Sequence, residues 1–391
     1  MSSNFDALII GGGIMGLSTA FQLAGRGVSV AVLEKQAIGA GSSGKSSAII
    51  RQHYSNEVTA RMALWSLRVF RNFKGEVGGE SGFTEAGFLV LVPEKDVDGL
   101  RANLALQRRV GIQTELLSQD ELRHRWPYLE THDLVAAAYE PEAGYADPNL
   151  TLNAYAKAAN TRGAALFQET EVTGIRFSGG RVTGVDTTNG PFSAPIVVNC
   201  AGPWGAHIAR MAGCEAPINS CRVQVAFFRR PAGHEAPHPV VADFTHAVYW
   251  RPETGRLTLV GLIDPAEADA IVAPDHFNER VDFDFILDAG ERLSRRFRAM
   301  EDSESTGGYA ALYAITPDWH PVMDELVPGS GFFICAGFSG HGFKLGPAVG
   351  LMAADMVMGQ PTPGLDRRLF RLNRYAENDP VRGRYEYSIA G

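Results

Sequence analysis

The sequence predicts an α/β protein, α+β overall, in which a Rossmann-type nucleotide-binding domain is joined to an antiparallel-sheet domain. Three observations carry that prediction. Residues 6–35, "DALIIGGGIMGLSTAFQLAGRGVSVAVLEK", read as strand, glycine turn, helix and second strand. The segment 221–262 holds alternating and β-branched runs, "RVQVAFF", "HAVYWRP" and "RLTLVG", the pattern of an antiparallel sheet with one covered face. Residues 337–350, "GFSGHGFKLGPAVG", set a histidine and a lysine among glycines. Each glycine costs backbone entropy on ordering, so such a cluster marks a tight turn or a close approach.

In the first unit, Asp6 to Ile10 form a short buried strand and Gly11, Gly13 and Gly16 fall in a GxGxxG pattern. The first glycine permits the turn, the second lets backbone approach a pyrophosphate, and the third lets helix and strand pack. Ile14 and Met15 open the helix, whose positive N-terminal end faces that pyrophosphate. Glu34 ends the second strand, 23 residues after Gly11, placed to accept hydrogen bonds from ribose hydroxyls. Its charge repels an extra phosphate, which favours FAD or NAD over NADP. Lys35 follows directly.

At 391 residues, 45% hydrophobic and 20% charged, the chain has the make-up of one large or two interleaved globular domains. A formal charge of −8 and a pI near 5.7 argue against a nucleic-acid partner, which needs a cationic footprint. Cys200, Cys214, Cys221 and Cys335 are scattered without CxxC spacing, as expected of reduced thiols in apolar surroundings. The glycine turn arrives within about ten residues of Met1, too early for a leader segment, and no apolar run reaches a span's length of ~18 residues. These features lead us to expect a cytoplasmic protein with no membrane span and no metal.

The loop 39–54, "GAGSSGKSSAIIRQHY", supplies small and hydroxylated residues, Ser42, Ser43, Lys45 and Ser47 among them, that fit around a ligand or form a solvated surface loop. Arg51 emerges just after Ile49 and Ile50. Taken together, GxGxxG with Glu34, "GSSGKSSAIIR" and "GFSGHGFK" resemble the D-amino-acid-oxidase-type superfamily of FAD enzymes, nearest its sarcosine oxidase (β subunit) and dimethylglycine dehydrogenase branch. The resemblance implies that Arg51 and Lys344 hold a substrate carboxylate. It also implies that Tyr249 closes over the substrate, although a plain sheet aromatic fits that position too. Tyr313 crosses near the flavin, Val172 meets the adenine through its backbone, and Ala201, Gly202 and Trp204 of "IVVNCAGPWG" pass beside the cofactor. Gly340, His341, Gly342, Phe343 and Lys344 run along the isoalloxazine. His341 either positions the substrate and influences its proton or bonds structurally to backbone. His246, Trp250 and Arg251 fall near the same pocket.

Two departures from the family shape the expected chemistry. Where monomeric sarcosine oxidases carry a flavin-linked cysteine this chain has Ala311, so FAD is expected to be held non-covalently. Where family oxidases set a lysine over the flavin it has Thr258, so the acceptor is O2 or another oxidant, with Lys45 as a compensating charge. The family landmarks imply a discontinuous FAD-binding domain of residues 1–80, 145–215 and 320–391, interleaved with an antiparallel-sheet substrate domain of residues 81–144 and 216–319. "DFDFILDAGERLSRRF" reads as an amphipathic helix with its arginines towards solvent, and Pro347 as the first turn of a helix running from Ala348.

The implied reaction is oxidation of the C–N bond of an N-substituted glycine by hydride transfer to flavin, the imine then hydrolysing to amine and aldehyde. Sarcosine, dimethylglycine and iminodiacetate are the candidates, the last needing a further cation from His53, Arg61 or Arg251. Three alternatives stand beside it: a flavin-binding subunit of a hetero-oligomeric amine oxidoreductase, a D-amino-acid or 2-hydroxy-acid oxidase, and a flavoprotein acting on tRNA. The expected partners are a small amino acid and an electron acceptor, within a possible oligomer.

Overall fold

The computed structural model describes residues 4–264 and 269–382. Its six-stranded sheet is centred on Ala7–Ile10, whose four residues are all buried. Val30–Leu33 and then Ala165–Phe167 lie parallel on one side, Val197–Asn199 and Phe332–Ala336 on the other, and Val322–Val327 closes that edge antiparallel. Burial on both faces explains why Ala7–Ile10, Val30–Leu33 and Phe332–Ala336 read as continuous apolar runs rather than alternating ones. The eight-stranded sheet runs in the order Glu304–Ile315, Asn219–Arg229, Leu257–Leu262, Val248–Glu253, Val240–Asp243, Phe88–Leu91, Ala136–Glu140, Glu115–Ser118. Its pairs are antiparallel except Val240–Asp243 against Phe88–Leu91. A turn at Gly179 and Gly180 joins Val172–Ser178 to Arg181–Thr187, both glycines having positive φ.

Two helices from opposite ends of the chain meet over the first sheet. Ile14–Ala24 and Gly342–Val357 pack together through glycines four residues apart. A Cβ on Gly346 would lie 2.3 Å from Ile14 Cγ1, and one on Gly350 would lie 2.6 Å from the Ser18 carbonyl carbon. The helix begins at Gly342, not near Ala348 as proline alone suggests, and Pro347 therefore sits inside it. Proline removes an amide donor, and at the next residue Ala348 N–H is taken by Ser66 Oγ at 3.2 Å. Gly350→Val should cost about 2–3 kcal/mol, because the obstructing Ser18 backbone cannot rotate away. A denaturant midpoint equal to wild type would show the two helices able to part freely.

The helix Phe283–Arg296 corrects another expectation. Its arginines do not all face water: Arg296 is fully buried, while Phe283 and Leu287 are 69% and 56% exposed. The cause lies on the sheet beneath. Asp243 is fully buried, and Arg296 Nε reaches its carboxylate at 2.7 Å while the other end of the guanidinium grips Asp133 at 2.7 and 2.9 Å. His246 bonds the same Asp243 at 2.8 Å.

Candidate active site

Three neighbouring hollows share lining residues, and the first two lie at the C-terminal ends of the parallel strands, where ligands bind in open α/β sheets. The first, about 890 Å³ with its open mouth, is walled by Gly11, Gly13, Met15, Glu34, Lys35, Val172, Ala201 and Trp204. Gly11 has φ +109, and a Cβ there would lie 2.6 Å from the Cys200 carbonyl oxygen. Gly16 lines none of these three hollows; a Cβ there would lie 2.0 Å from Gly11 O, so it serves the helix–strand contact. Glu34 accepts from Gly12 N–H at 2.7 Å and Gln36 N–H at 2.9 Å, which fixes the carboxylate at the strand's end. Thr170 and Glu171 join this wall beside Val172.

The residues fit a dinucleotide on an observation independent of the motif. Ser42 Oγ is buried without a protein partner and borders both the first and second hollows, where a phosphate or ribose oxygen would satisfy it. Ser43 Oγ instead accepts from Ile14 N–H at 3.1 Å. Neither the Ile14–Ala24 nor the Gly342–Val357 helix has an acidic residue in its first turn, so both positive ends stay uncompensated from within.

The second hollow, about 850 Å³, is bordered by Ile14, Met15, Lys45, Ser47, Gly202, Tyr249, Ala311, Tyr313, Gly340, Gly342 and Phe343. The glycines there answer to neighbouring side chains: a Cβ on Gly340 would meet the Tyr313 ring at 2.4 Å, and one on Gly342 would meet Phe338 at 2.7 Å. Lys45 Nζ is held by Glu279 at 2.8 Å, so its charge is offset. Thr258, expected nearest the flavin, lies elsewhere; it is buried against His238 Nε2 at 3.0 Å and Arg230 at 3.3 Å and lines none of the three hollows.

The third hollow, about 750 Å³, brings together Arg51, His53, Tyr249, Tyr313, His341 and Lys344 with an apolar wall of Ile49, Phe88, Val90, Phe244, Leu262 and Ile263. Arg51 and Lys344, nearly three hundred residues apart, stand over one ring. The Arg51 guanidinium carbon is 4.7 Å and Lys344 Nζ 6.0 Å from the centroid of Tyr54. Sequence reasoning missed Tyr54, although it lies three residues after Arg51 in the quoted loop. Arg51 Nη1 also donates to the His53 carbonyl, and Lys344 Nζ touches His341 O at 3.5 Å.

Burial sets the protonation states. His341 Nε2 is 2.8 Å from Trp319 O, and a carbonyl only accepts, so that nitrogen carries the hydrogen. Its Nδ1 then accepts from Tyr54 O–H at 3.4 Å. Burial holds this ring well below the usual histidine value, so it is neutral with both nitrogens engaged. That is a positioning role for Tyr54. Burial and then Arg51 lower His53 to about 3, while Tyr54 is pushed up to about 12 by burial. Tyr313 is raised well above 10 by burial, then by Tyr249, to which its hydroxyl is hydrogen-bonded.

Other expected residues lie outside. His246 serves Asp243, Trp250 is buried in the sheet's core, and Arg251 is spent on Ser47 O, Pro252 O and Glu253. Arg61 pairs with Glu57 on the outer face of its helix. Among the described residues, no helix is long and apolar enough to cross a membrane.

The chain is similar to known proteins. The model of the DAO family, FAD dependent oxidoreductase, matches residues 6–356. Human mitochondrial sarcosine dehydrogenase is 29% identical over 95% of this chain, which spans only 42% of that longer protein. Glycine oxidase of Geobacillus kaustophilus (strain HTA426) is 27% identical, covering 96% of this chain and 98% of its own. The crystal structure of L-proline dehydrogenase from P. horikoshii is 28% identical with a TM-score of 0.89, covering 97% of this chain and 100% of that one.

Proposed function

The chain belongs to the DAO family of FAD dependent oxidoreductases, and from that premise we propose that it oxidises the C–N bond of a small secondary or tertiary amino acid. One observation carries the reading: two basic side chains, Arg51 and Lys344, approach the same buried ring of Tyr54 and border one hollow, part of whose wall is apolar. A carboxylate fits between Arg51 and Lys344 through charge-assisted bonds. An alkyl substituent on nitrogen fits the wall of Phe88, Val90, Phe244, Leu262 and Ile263. FAD, when bound, supplies the acceptor for the hydride, and the clamp's part is to fix the reacting carbon, which is worth many-fold in rate.

The lining narrows the substrate class. A second carboxylate, as in iminodiacetate, finds no support from the proposed cations, since His53 is neutral, Arg251 is already paired and Arg61 is outside. Sarcosine and dimethylglycine fit better. L-Proline, a cyclic secondary amino acid, joins them through the likeness to L-proline dehydrogenase. Turnover of this panel beside D-alanine and 2-hydroxy acids, with and without an artificial acceptor, tests the reading. Oxidation of the secondary and tertiary amino acids is expected, faster with the artificial acceptor because Lys45 is tied to Glu279. Activity confined to D-alanine or hydroxy acids would overturn it.

Ala311 in the wall of the second hollow supports non-covalent FAD. Acid precipitation should leave the flavin in the supernatant; yellow protein pellets would contradict this. The subunit alternative draws on the exposed Phe283 and Leu287, one helical turn apart. A purified chain that turns over as a monomer on gel filtration would remove it.

A further inference from the structure

A bound amino acid enters as a zwitterion, and its nitrogen must lose a proton before hydride leaves the neighbouring carbon. The groups around the third hollow leave few places for that proton. His341 has both nitrogens engaged and is neutral, and His53 is held at about 3. Tyr54 and Tyr313 are protonated phenols near neutral pH, with no lone base to offer. An arginine guanidinium, as at Arg51, offers no proton-accepting lone pair. Glu140, raised to about 7 by burial, faces Gln52 N–H at 2.7 Å and His53 Nδ1 at 3.8 Å, and lines none of the three hollows.

Lys344 remains. Its side chain borders the hollow, is 7% exposed, and makes no ion pair among the described residues. Its Nζ contacts are the His341 carbonyl at 3.5 Å and the distant Tyr54 ring, with Arg51 as a like-charged neighbour. A buried ammonium without a counter-ion is costly and gives up its proton instead. Burial, then Arg51, accordingly draw this lysine well below its ordinary value.

Resting on the carboxylate-clamp reading, we propose that Lys344 stands as a neutral amine in the empty site and takes the ammonium proton of the incoming amino acid. The substrate N–H bond breaks with its electron pair left on nitrogen, and an Nζ–H bond forms, directly or through one water. The product pair is a free amine, ready for oxidation, and a Lys344 ammonium bound to the substrate carboxylate. Binding and substrate activation are then one event, because the arriving carboxylate is what makes the lysine basic.

The test uses flavin-loaded protein and 3-methylbutanoate, in which CH replaces the nitrogen of N,N-dimethylglycine, so the ligand brings a carboxylate but no proton. Titration calorimetry near pH 8 in buffers of different ionisation enthalpy counts protons taken up, while the flavin absorbance change reports binding. About one proton per site should be drawn from the buffer, and the same uptake should persist in Glu140→Gln, whose amide oxygen can still accept from Gln52 N–H. Binding without uptake overturns the inference while leaving the clamp in place. Uptake that vanishes in Glu140→Gln assigns the proton to Glu140 and also overturns it. No binding at all removes the clamp reading, and this inference with it.

Discussion

Replacing Lys344 with methionine should raise the apparent substrate constant by about 10²–10³-fold while leaving flavin per chain unchanged. Removing one partner of a buried charge pair costs about 2–5 kcal/mol, and each 1.4 kcal/mol is tenfold in binding. Methionine has nearly the length of lysine and lies well against Phe343 and Tyr54, so the hollow keeps its shape. The folded chain should lose nothing, since the lysine has no counter-ion among the described residues in the empty site. Thermal unfolding, flavin absorbance per protein and steady-state constants separate these effects. A variant that binds substrate normally but sheds its flavin would make Lys344 a cofactor ligand instead.

The second large effect is on stability. Arg296→Met should lower the unfolding free energy by about 3–5 kcal/mol, because it deprives the buried Asp243 carboxylate of its guanidinium, leaving it His246 and the Thr245 N–H. Burial raises the Asp243 pKa, but the His246 and Arg296 contacts outweigh it and the net folded value is depressed. A depressed folded value contributes stability that is present above the unfolded value of about 4 and is lost as pH falls through the folded one. The gap between wild type and variant should therefore be full near pH 7 and shrink in acid. Urea midpoints at several pH values would show it; a gap independent of pH would mean that Arg296 acts through packing rather than charge.

Much of the fold was legible because its signals are local. The GxGxxG turn with Glu34 announces strand, helix and strand within thirty-five residues. The alternation in 221–262 announces antiparallel strands, but not the one wet face it suggests, since both faces of Val240–Asp243 and Leu257–Leu262 are buried between core clusters and the site. What the sequence concealed is instructive in each case. Pro347 signalled a helix start, yet the helix begins earlier because close packing of Gly346 and Gly350 on the first helix holds a proline-containing stretch helical. Arg296 read as a solvated charge because its partner Asp243 is 53 residues away on another element. Tyr54 carried no signal at all, since a lone aromatic beside a charged loop is ordinary until the chain folds two cations over it. Thr258 was placed near the cofactor by position along a strand, but its side chain lies against His238 and Arg230 instead.

The sequence by itself determined what depends on neighbours in the chain: the nucleotide-binding turn, the acid that follows it, the sheet alternation, and the presence of an arginine and a lysine in distinctive surroundings. Only the tertiary structure decided which charges meet and in what protonation state. Lys344 is an ordinary ammonium when its chain is extended in water, and it becomes a proton acceptor, as we propose, only where burial removes solvation and Arg51 arrives from the far end of the chain. Desolvation and long-range proximity are properties of the folded volume, and no local pattern encodes them.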